Sequence, residues 1–377
     1  MRHLSTVIGG IKPSATMAIA DRAKKMARGG IDVISLSIGE PDFPTPPHIT
    51  EAAIDALHRG ETHYAPSRGI PELLEAVAEK FSTENAVPAS PADWIVTAGA
   101  KDAIRLLCQA VLNPGDEAII LDPSWVSYEP CIQMAGGTAV HYPLDPVTFQ
   151  PGEDLIDLIT PATRMIIVNS PSNPTGSILT RSSLGMIADL CSDHDLLALS
   201  DEIYEKLVYD GAEHISLASI HDMAERTLTV NGFSKAYAMT GWRLGYAAGP
   251  SEVINYMNRI QQHSVSHPTT FVMWGGLAAL KGDQSCVTEM RDEFARRRSF
   301  VISRLRQAGF ACAPADGAFY AFVNVGGDDN AVASEWLEDK HVAVTPGSAF
   351  GAPGWVRMSY ATSMERLEEA LERVCGE

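Results

Sequence analysis

The chain has 377 residues, of which 45% are hydrophobic and 20% are charged, and its formal net charge is −18 at pH 7. This length predicts two domains, and this composition excludes a disordered chain. The acidic excess argues against nucleic acid or an anionic membrane surface as a partner. Six cysteines lack metal-type spacing, and no stretch reaches the roughly 20 apolar residues of a membrane span. We therefore expect a cytoplasmic protein with free thiols and no metal site.

Short apolar strands alternate with helical stretches along the chain. Strands are predicted at residues 94–97, 117–121, 165–169, 196–200, 227–231 and 244–248, and helices at 71–81, 100–112 and 182–193. This alternation is typical of an α/β fold with a mainly parallel sheet and crossover helices. Amphipathic helices predicted at 289–307 and 364–374 indicate a smaller second domain. We expect a large domain at residues 46–280 and a small α/β domain formed by residues 1–45 and 281–377.

A lysine stands within an unusual run of residues, NGFSKAYAMTGWRLGY, at positions 231–246. Lys235 can attack an aldehyde only as a neutral amine, so a catalytic role requires a site that lowers its pKa or commits it to a Schiff base. Pyridoxal 5′-phosphate (PLP) supplies such an aldehyde, and Ser234 and Arg243 are candidate donors to its phosphate. The alternative is a surface lysine beside a core strand, because most lysines are exposed.

Polar residues also follow two of the apolar strands. Asp201 comes after the strand at 196–200, and Asn173 lies in a turn rich in proline and asparagine after the strand at 165–169. Open parallel sheets bind ligands at the carboxyl ends of their strands. A carboxylate at Asp201 would keep the pyridine nitrogen of PLP protonated, and Tyr204 would reach the phenolic oxygen of the ring. A helix N-cap is the alternative role for Asp201.

A glycine at a strand-to-helix junction predicts a phosphate site. Gly99 separates the strand at 94–97 from the helix at 100–112, and small residues at a helix start leave backbone N–H groups open to an anion. Trp125 would stack on a flat heterocycle, although a single tryptophan is more often a core residue. The sequence therefore places a phosphate and an aromatic ring near the same strand ends.

Together these motifs resemble the class I/II aminotransferases of the fold-type I PLP-dependent enzymes. The motifs are SPSNPTG at 170–176, SDEIY at 200–204 and FSKAYAMTGWRLGY at 233–246, in the order and spacing of that family. The similarity extends from KPSAT at 12–16 to VRMSYA at 356–361 and is closest to the bacterial aspartate/prephenate aminotransferase branch. It implies a seven-stranded, mainly parallel sheet, PLP as cofactor, and a homodimer with active sites at the subunit interface.

The resemblance also implies roles for individual residues. Lys235 would bond to PLP and carry the proton of the substrate α-carbon, with Asp201 and Tyr204 completing the catalytic set. The implied cofactor site consists of Gly99, Ala100, Lys101, Trp125, Asn173, Asp201, Tyr204, Ser234, Lys235 and Arg243, with Tyr64 from the partner subunit. The implied substrate site consists of Gly39, Trp125, Asn173, Arg357, Lys12 and Thr16.

Substrate choice depends on fewer residues. In the related enzymes, Lys12, Thr16 and Lys101 lie near a distal carboxylate, which predicts exchange between aspartate, or a related L-amino acid, and a 2-oxo acid such as 2-oxoglutarate. Solvated or structural roles for these three residues are equally open. The stretch with His263 and His267 has no arginine, so the subunit-crossing arginine clamp of another aspartate aminotransferase branch is missing. Two alternatives stay open: a PLP-dependent C–S β-lyase, and an aminotransferase for aromatic or neutral amino acids.

Overall fold

The structure is a computed structural model that describes residues 4–87 and 90–376. Its helices are α1 (Thr6–Gly10), α2 (Ala15–Arg28), α3 (Pro47–His58), α4 (Pro71–Glu84), α5 (Ala100–Val111), α6 (Tyr128–Ala135), α7 (Arg181–Asp193), α8 (Ser251–Gln262), α9 (Thr270–Lys281), α10 (Ser285–Gln307), α11 (Asp329–Glu338) and α12 (Met364–Cys375). Its strands are β1 (Ile34–Ser35), β2 (Trp94–Thr97), β3 (Glu117–Asp122), β4 (Thr138–Pro143), β5 (Thr163–Asn169), β6 (Leu197–Asp201), β7 (Thr227–Gly232), β8 (Gly245–Ala248), β9 (Ala311–Cys312), β10 (Tyr320–Asn324), β11 (Val342–Ala343), β12 (Thr345–Pro346) and β13 (Trp355–Ser359).

A seven-stranded sheet lies at the centre of the fold, in the order β2-β8-β7-β6-β5-β3-β4. Five adjacent strands, β4, β3, β5, β6 and β7, are parallel to one another, whereas β8 runs antiparallel to both β7 and β2. This confirms the mainly parallel seven-stranded sheet. Every residue of β2, β7 and β8 is buried, because helices cover both faces of the sheet, and this explains their continuous apolar runs.

The observed elements differ from the predicted ones at a few ends. β6 ends at Asp201 instead of residue 200, because Asp201 is still paired with Asn169 on one side and Val230 on the other. α10 begins at Ser285, before the predicted start at residue 289. The sequence does not predict β4, because this edge strand is mostly exposed or half-buried and so lacks an apolar run.

A second, antiparallel sheet in the C-terminal part has the strand order β12-β13-β10-β9. β1 pairs with β11 in parallel and joins the N-terminal part of the chain to this region. The core beneath the small sheet includes Leu36, Phe294 and Leu371, and also Ile203 and Tyr204 from the segment after β6. The carboxyl end of β6 therefore packs against the small sheet, and the space between the two sheets is set by this contact.

Among the described residues, no helix combines the length and apolar character that crossing a membrane requires. All six cysteines are free thiols, as predicted. Three of them, Cys108, Cys131 and Cys191, are buried, and burial raises the pKa of each thiol. These three side chains therefore act as small apolar core residues and not as nucleophiles.

Candidate active site

A cavity of about 380 Å³ lies where the carboxyl ends of the large-sheet strands face the small sheet. Most of the residues that the sequence singles out meet in its lining. They are Thr16, Gly39, Ala100, Lys101, Trp125, Asn173, Asp201, Tyr204, Ser234, Lys235, Arg243 and Arg357. The polar strand ends predicted to be neighbours are neighbours because β5, β6 and β7 are adjacent in the sheet.

Three of the singled-out residues lie outside this lining. Gly99 sits behind Arg243, where an added Cβ would come within 2.7 Å of the Arg243 guanidinium, and its φ of +89° favours glycine. Lys12 is exposed, and Tyr64 is 91% exposed. The cofactor and substrate roles of Lys12 and Tyr64 therefore stay predictions.

Lys235 lies just beyond the end of β7, and its ammonium group points at a backbone carbonyl. Its Nζ donates a hydrogen bond of 2.6 Å to the Gly39 oxygen. Desolvation by the surrounding protein lowers the pKa of Lys235 to about 8, although Glu40 and Asp201 act in the opposite direction. About a tenth of the side chain is therefore a neutral amine at pH 7, far more than for an ordinary lysine, and the neutral amine is the form that attacks an aldehyde.

Asp201 is a buried carboxylate that keeps capacity for another donor. Its Oδ2 accepts a hydrogen bond of 2.8 Å from the Tyr128 hydroxyl, and its Oδ1 accepts one of 3.3 Å from the Ile203 N–H. Burial raises the pKa of Asp201 to about 6. No cationic side chain among residues 4–87 and 90–376 forms a salt bridge with Asp201. The site therefore suits a protonated ring nitrogen, whose positive charge would favour the ionised form of the Asp201 carboxyl group.

Arg357 brings a buried positive charge to the other side of the cavity. Its Nη1 donates to Asn173 Oδ1 at 2.8 Å and its Nη2 donates to the Ser37 oxygen at 2.6 Å. The residue is 2% exposed, and burial lowers the pKa of its guanidinium. Its Nε has no hydrogen-bond partner, and no carboxylate in the described part of the chain pairs with it. A buried cation of this kind is costly alone and is suited to bind an incoming carboxylate.

The remaining end of the cavity presents donors for an anion. Helix α5 begins at Ala100, and its N-terminal N–H groups carry partial positive charge. Arg243 is held beside this helix start by hydrogen bonds to the Thr240 oxygen at 2.8 Å and the Ala98 oxygen at 3.4 Å. Ser234 adds a hydroxyl to the same lining. Helix terminus, guanidinium and hydroxyl together suit a phosphate group.

Tyr128, Asn169 and Tyr320 are among the lining residues that did not stand out in the sequence. Tyr128 donates to the Asp201 carboxylate, whereas Asn169 donates from Nδ2 to the Asp201 backbone oxygen at 2.9 Å and accepts from the Asn173 N–H at 2.9 Å. Asn169 ends a predicted strand, and this position was a usable signal. Tyr320 opens β10 and places its hydroxyl 2.7 Å from that of Tyr204. No local pattern marks Tyr320, because its hydrogen-bond partner Tyr204 lies 116 residues away in the chain.

The two histidines without an assigned role differ in their surroundings. His263 is exposed and follows the last residue of α8. His267 Nε2 accepts a hydrogen bond of 3.2 Å from the Ala65 N–H, so Nδ1 is the protonated nitrogen that donates to the Pro268 oxygen at 2.6 Å. Its ring also meets the ring of Tyr64 edge-on, with 5.7 Å between centroids. His267 thus fixes the backbone next to Tyr64.

Comparison with known proteins agrees with this geometry. The family model for aminotransferase class I and II matches residues 31–374. An aspartate/prephenate aminotransferase of Thermus thermophilus is 45% identical over 99% of this chain and 98% of its own length, and an aspartate aminotransferase of Geobacillus stearothermophilus is 43% identical over 98% of each. The structure of the aspartate aminotransferase from Thermus thermophilus with maleate superposes with a TM-score of 0.96, at 45% identity, over 100% of this chain and 99% of that one. The chain is therefore an enzyme of the class I and II aminotransferase family.

Proposed function

We propose that this aminotransferase exchanges an amino group between L-aspartate, or a related L-amino acid, and a 2-oxo acid such as 2-oxoglutarate, with PLP as cofactor. The observation that carries the proposal is the buried guanidinium of Arg357, which has no carboxylate partner among the described residues and lines the same cavity as Lys235 and Asp201. A transamination site needs a cation that binds the carboxylate of the amino acid and, beside it, a lysine whose lowered pKa lets its neutral amine bond to the PLP aldehyde.

The lining of the cavity fits PLP at each of its functional groups. The start of α5, Ser234 and Arg243 offer donors for the phosphate. Asp201 offers a buried carboxylate for the pyridine nitrogen, and Trp125 offers a flat face for the ring. When bound, PLP supplies an aldehyde and a ring that accepts electrons from the substrate.

The residues of the chain would divide binding and proton transfer among them. Arg357 would take the substrate α-carboxylate and Asn173 would orient it, since the two side chains are already hydrogen-bonded. Lys235 Nζ would accept the proton of the substrate α-carbon, because its lowered pKa keeps a fraction of the amine neutral. Asp201 would hold the proton on the ring nitrogen, and the Tyr204 hydroxyl would donate to the phenolic oxygen of the ring.

The preference for a dicarboxylic substrate is supported by the relatives and by the cavity. The similar proteins are named aspartate and aspartate/prephenate aminotransferases, and the similar structure from Thermus thermophilus was solved with maleate. In this chain, Thr16 and Lys101 both line the cavity, and the Lys101 ammonium lies 4.8 Å from the Trp125 ring centroid. A hydroxyl and an ammonium group in this position suit a second carboxylate. Lys12 would join them from the N-terminal arm.

The proposal extends to assembly, domain organisation and location. The exposure of Tyr64 supports a homodimer in which this side chain reaches the phosphate of the partner subunit. The two separate sheets and the β1–β11 pairing support a large domain at 46–280 and a small domain formed by 1–45 and 281–377. Six free thiols support a reducing compartment, the cytoplasm.

An amino-donor panel tests the proposed reaction directly. Purified holoenzyme is given 2-oxoglutarate with L-aspartate, L-phenylalanine, L-tyrosine or L-alanine, and glutamate formation is measured. We expect aspartate to give the highest kcat/KM. A higher kcat/KM for an aromatic or neutral donor would show that this donor, and not aspartate, is the preferred substrate. Release of pyruvate and ammonia from L-cystathionine without any 2-oxo acid would show that the reaction is β-elimination and not transamination.

A pair of lysine variants identifies the reactive amine. Lys235→Ala should lose both transamination and the borohydride-stable attachment of PLP, because the one other lysine that lines the cavity within the described residues, Lys101, lies against Trp125 and not at the Gly39 oxygen. Lys24→Ala removes an exposed lysine on α2 and should leave both unchanged. Attachment that persists in Lys235→Ala, mapped to another residue by peptide mass, would refute the assignment.

A further inference from the structure

Tyr320 contacts three functional parts of the cavity although it belongs to none of the sequence motifs. It opens β10 in the small sheet and is 1% exposed. Its hydroxyl lies 2.7 Å from the Tyr204 hydroxyl, and the Arg357 guanidinium carbon lies 4.6 Å from its ring centroid. An added Cβ at Gly39 would overlap its hydroxyl, so the two residues are in close contact. Tyr320 therefore joins the candidate cofactor side of the cavity to the candidate substrate side.

We propose that Tyr320 is a positioning residue whose hydroxyl turns the Tyr204 proton toward the cofactor and whose ring holds Arg357 in place for the substrate carboxylate. This inference rests on the proposed function, because it assigns Tyr320 a task toward PLP and the amino acid. The hydroxyl and the ring act on different partners. Their contributions can therefore be separated by substitution.

The hydroxyl pair allows only two proton arrangements. One hydroxyl donates and the other accepts, and within residues 4–87 and 90–376 neither the Tyr204 nor the Tyr320 hydroxyl has another hydrogen-bond partner. If Tyr320 donates to Tyr204, the hydroxyl proton of Tyr204 is free to point into the cavity. If Tyr204 donates to Tyr320, that proton is committed to the hydrogen bond between the two hydroxyls. Burial raises the pKa of both residues, so both stay protonated at neutral pH. An acceptor in the cavity, such as the phenolic oxygen of PLP, selects the arrangement in which Tyr320 donates.

The ring of Tyr320 holds the guanidinium from one side. Phe350 lies on Arg357 as well, with 4.9 Å from its ring centroid to the guanidinium carbon, so two aromatic rings and two hydrogen bonds restrain the side chain. A cation on an aromatic face is stabilised by the ring quadrupole, most strongly in a desolvated site. The same ring therefore compensates in part for burying a charge that has no carboxylate partner until substrate arrives.

The close contact with Gly39 adds a third constraint. The Gly39 carbonyl accepts the hydrogen bond from Lys235 Nζ, and the Tyr320 hydroxyl packs against the same residue. A side chain at position 39 would displace Tyr320 or the backbone that meets Lys235. Tyr320 thus sets the position of a backbone carbonyl, a tyrosine hydroxyl and a guanidinium relative to one another.

Two substitutions separate the roles of hydroxyl and ring, and a third is the matched control. Tyr320→Phe removes only the hydroxyl, and Tyr320→Leu also removes the aromatic face. Tyr360→Phe removes a buried hydroxyl from the same region, where Tyr360 binds the Ala318 oxygen at 3.3 Å and lies outside the cavity lining. The readouts are the pH midpoint of the visible PLP absorption band of the holoenzyme, the KM for L-aspartate and the melting temperature.

We expect Tyr320→Phe to raise the absorption midpoint by about half a pH unit, because a less well oriented Tyr204 stabilises the anionic ring oxygen less, while KM changes less than about two-fold. Tyr320→Leu should in addition raise KM by about five-fold or more through loss of the cation–π contact. Tyr360→Phe should move neither. Three results would overturn the inference. They are a midpoint in Tyr320→Phe that equals the wild-type value, a shift of the midpoint in Tyr360→Phe as large as that in Tyr320→Phe, and failure of Tyr320→Phe to fold. Absence of a visible band in the wild type would instead overturn the proposed cofactor.

Discussion

We expect Asp201→Asn to stabilise the protein that lacks cofactor, although Asp201 is at the centre of the candidate site. The carboxylate is buried, its two recorded partners are the neutral Tyr128 hydroxyl and the Ile203 N–H, and burial raises its pKa from 3.8 to about 6. Asparagine fits these partners, since its oxygen can accept from Ile203 and its amide can donate to the rotatable Tyr128 hydroxyl. The substitution removes the cost of ionising a buried group and keeps its hydrogen bonds.

The sign and size of the effect follow from the raised pKa. The folded protein binds the Asp201 proton more tightly than the unfolded chain, so ionisation starts to cost stability as the pH rises through 3.8, and the full cost is present above a pH of about 6. A difference of about two pKa units corresponds to about 3 kcal/mol at pH 8 and to about half of that at pH 5. The free energy of unfolding of Asp201→Asn should exceed that of the wild type by these amounts.

Urea denaturation of the cofactor-free proteins at equal concentration, at pH 8 and pH 5, measures the difference. Asp157→Asn is the matched control, because Asp157 is exposed and its substitution should change stability by less than about 0.5 kcal/mol at either pH. With PLP added, the order should reverse, since only the carboxylate pairs with a protonated ring nitrogen. A destabilised Asp201→Asn protein at pH 8, or a stabilisation that is equal at both pH values, would refute the reasoning.

Three further predictions concern the substrate and the subunit contact. Arg357→Lys should raise the KM for aspartate by about ten-fold or more with a smaller change in kcat, because lysine cannot form the two-point contact of a guanidinium with a carboxylate. Steady-state kinetics that show an equal loss in kcat would contradict a role of Arg357 in substrate binding. Lys101→Ala should lower kcat/KM about ten-fold for aspartate but little for alanine, and an equal fall for both would mean that Lys101 does not recognise the second carboxylate. His267→Leu should weaken PLP binding several-fold, because it frees the backbone next to Tyr64, whereas His267→Gln can still accept from the Ala65 N–H and should keep the wild-type affinity. Equal affinities for PLP in a titration of the two variants would exclude a role of His267 in holding this backbone.

Most of the large sheet and its polar strand ends could be predicted from the sequence. The apolar runs that end at Asn169 and Asp201, and the run before Lys235, are local patterns whose length and bounding residues identify buried strands. The ends of parallel strands share one edge, so these polar residues were expected to be neighbours before the strand order was known. The edge strand β4 escaped prediction because a half-exposed strand carries no comparable apolar signal.

The amino-acid sequence by itself determined the family and the mainly parallel sheet, and it singled out the lysine that we propose to be reactive, because these depend on periodicity, turn chemistry and motif spacing within short segments. Only the tertiary structure decided that Arg357 is buried without a carboxylate, that Tyr128 is the partner of Asp201, and that Tyr320 bridges Tyr204 and Arg357. These relations join residues from distant segments and from two different sheets. They are set by packing between the sheets, which no local pattern encodes, and they fix the desolvation and hydrogen bonding that control the chemistry of the site.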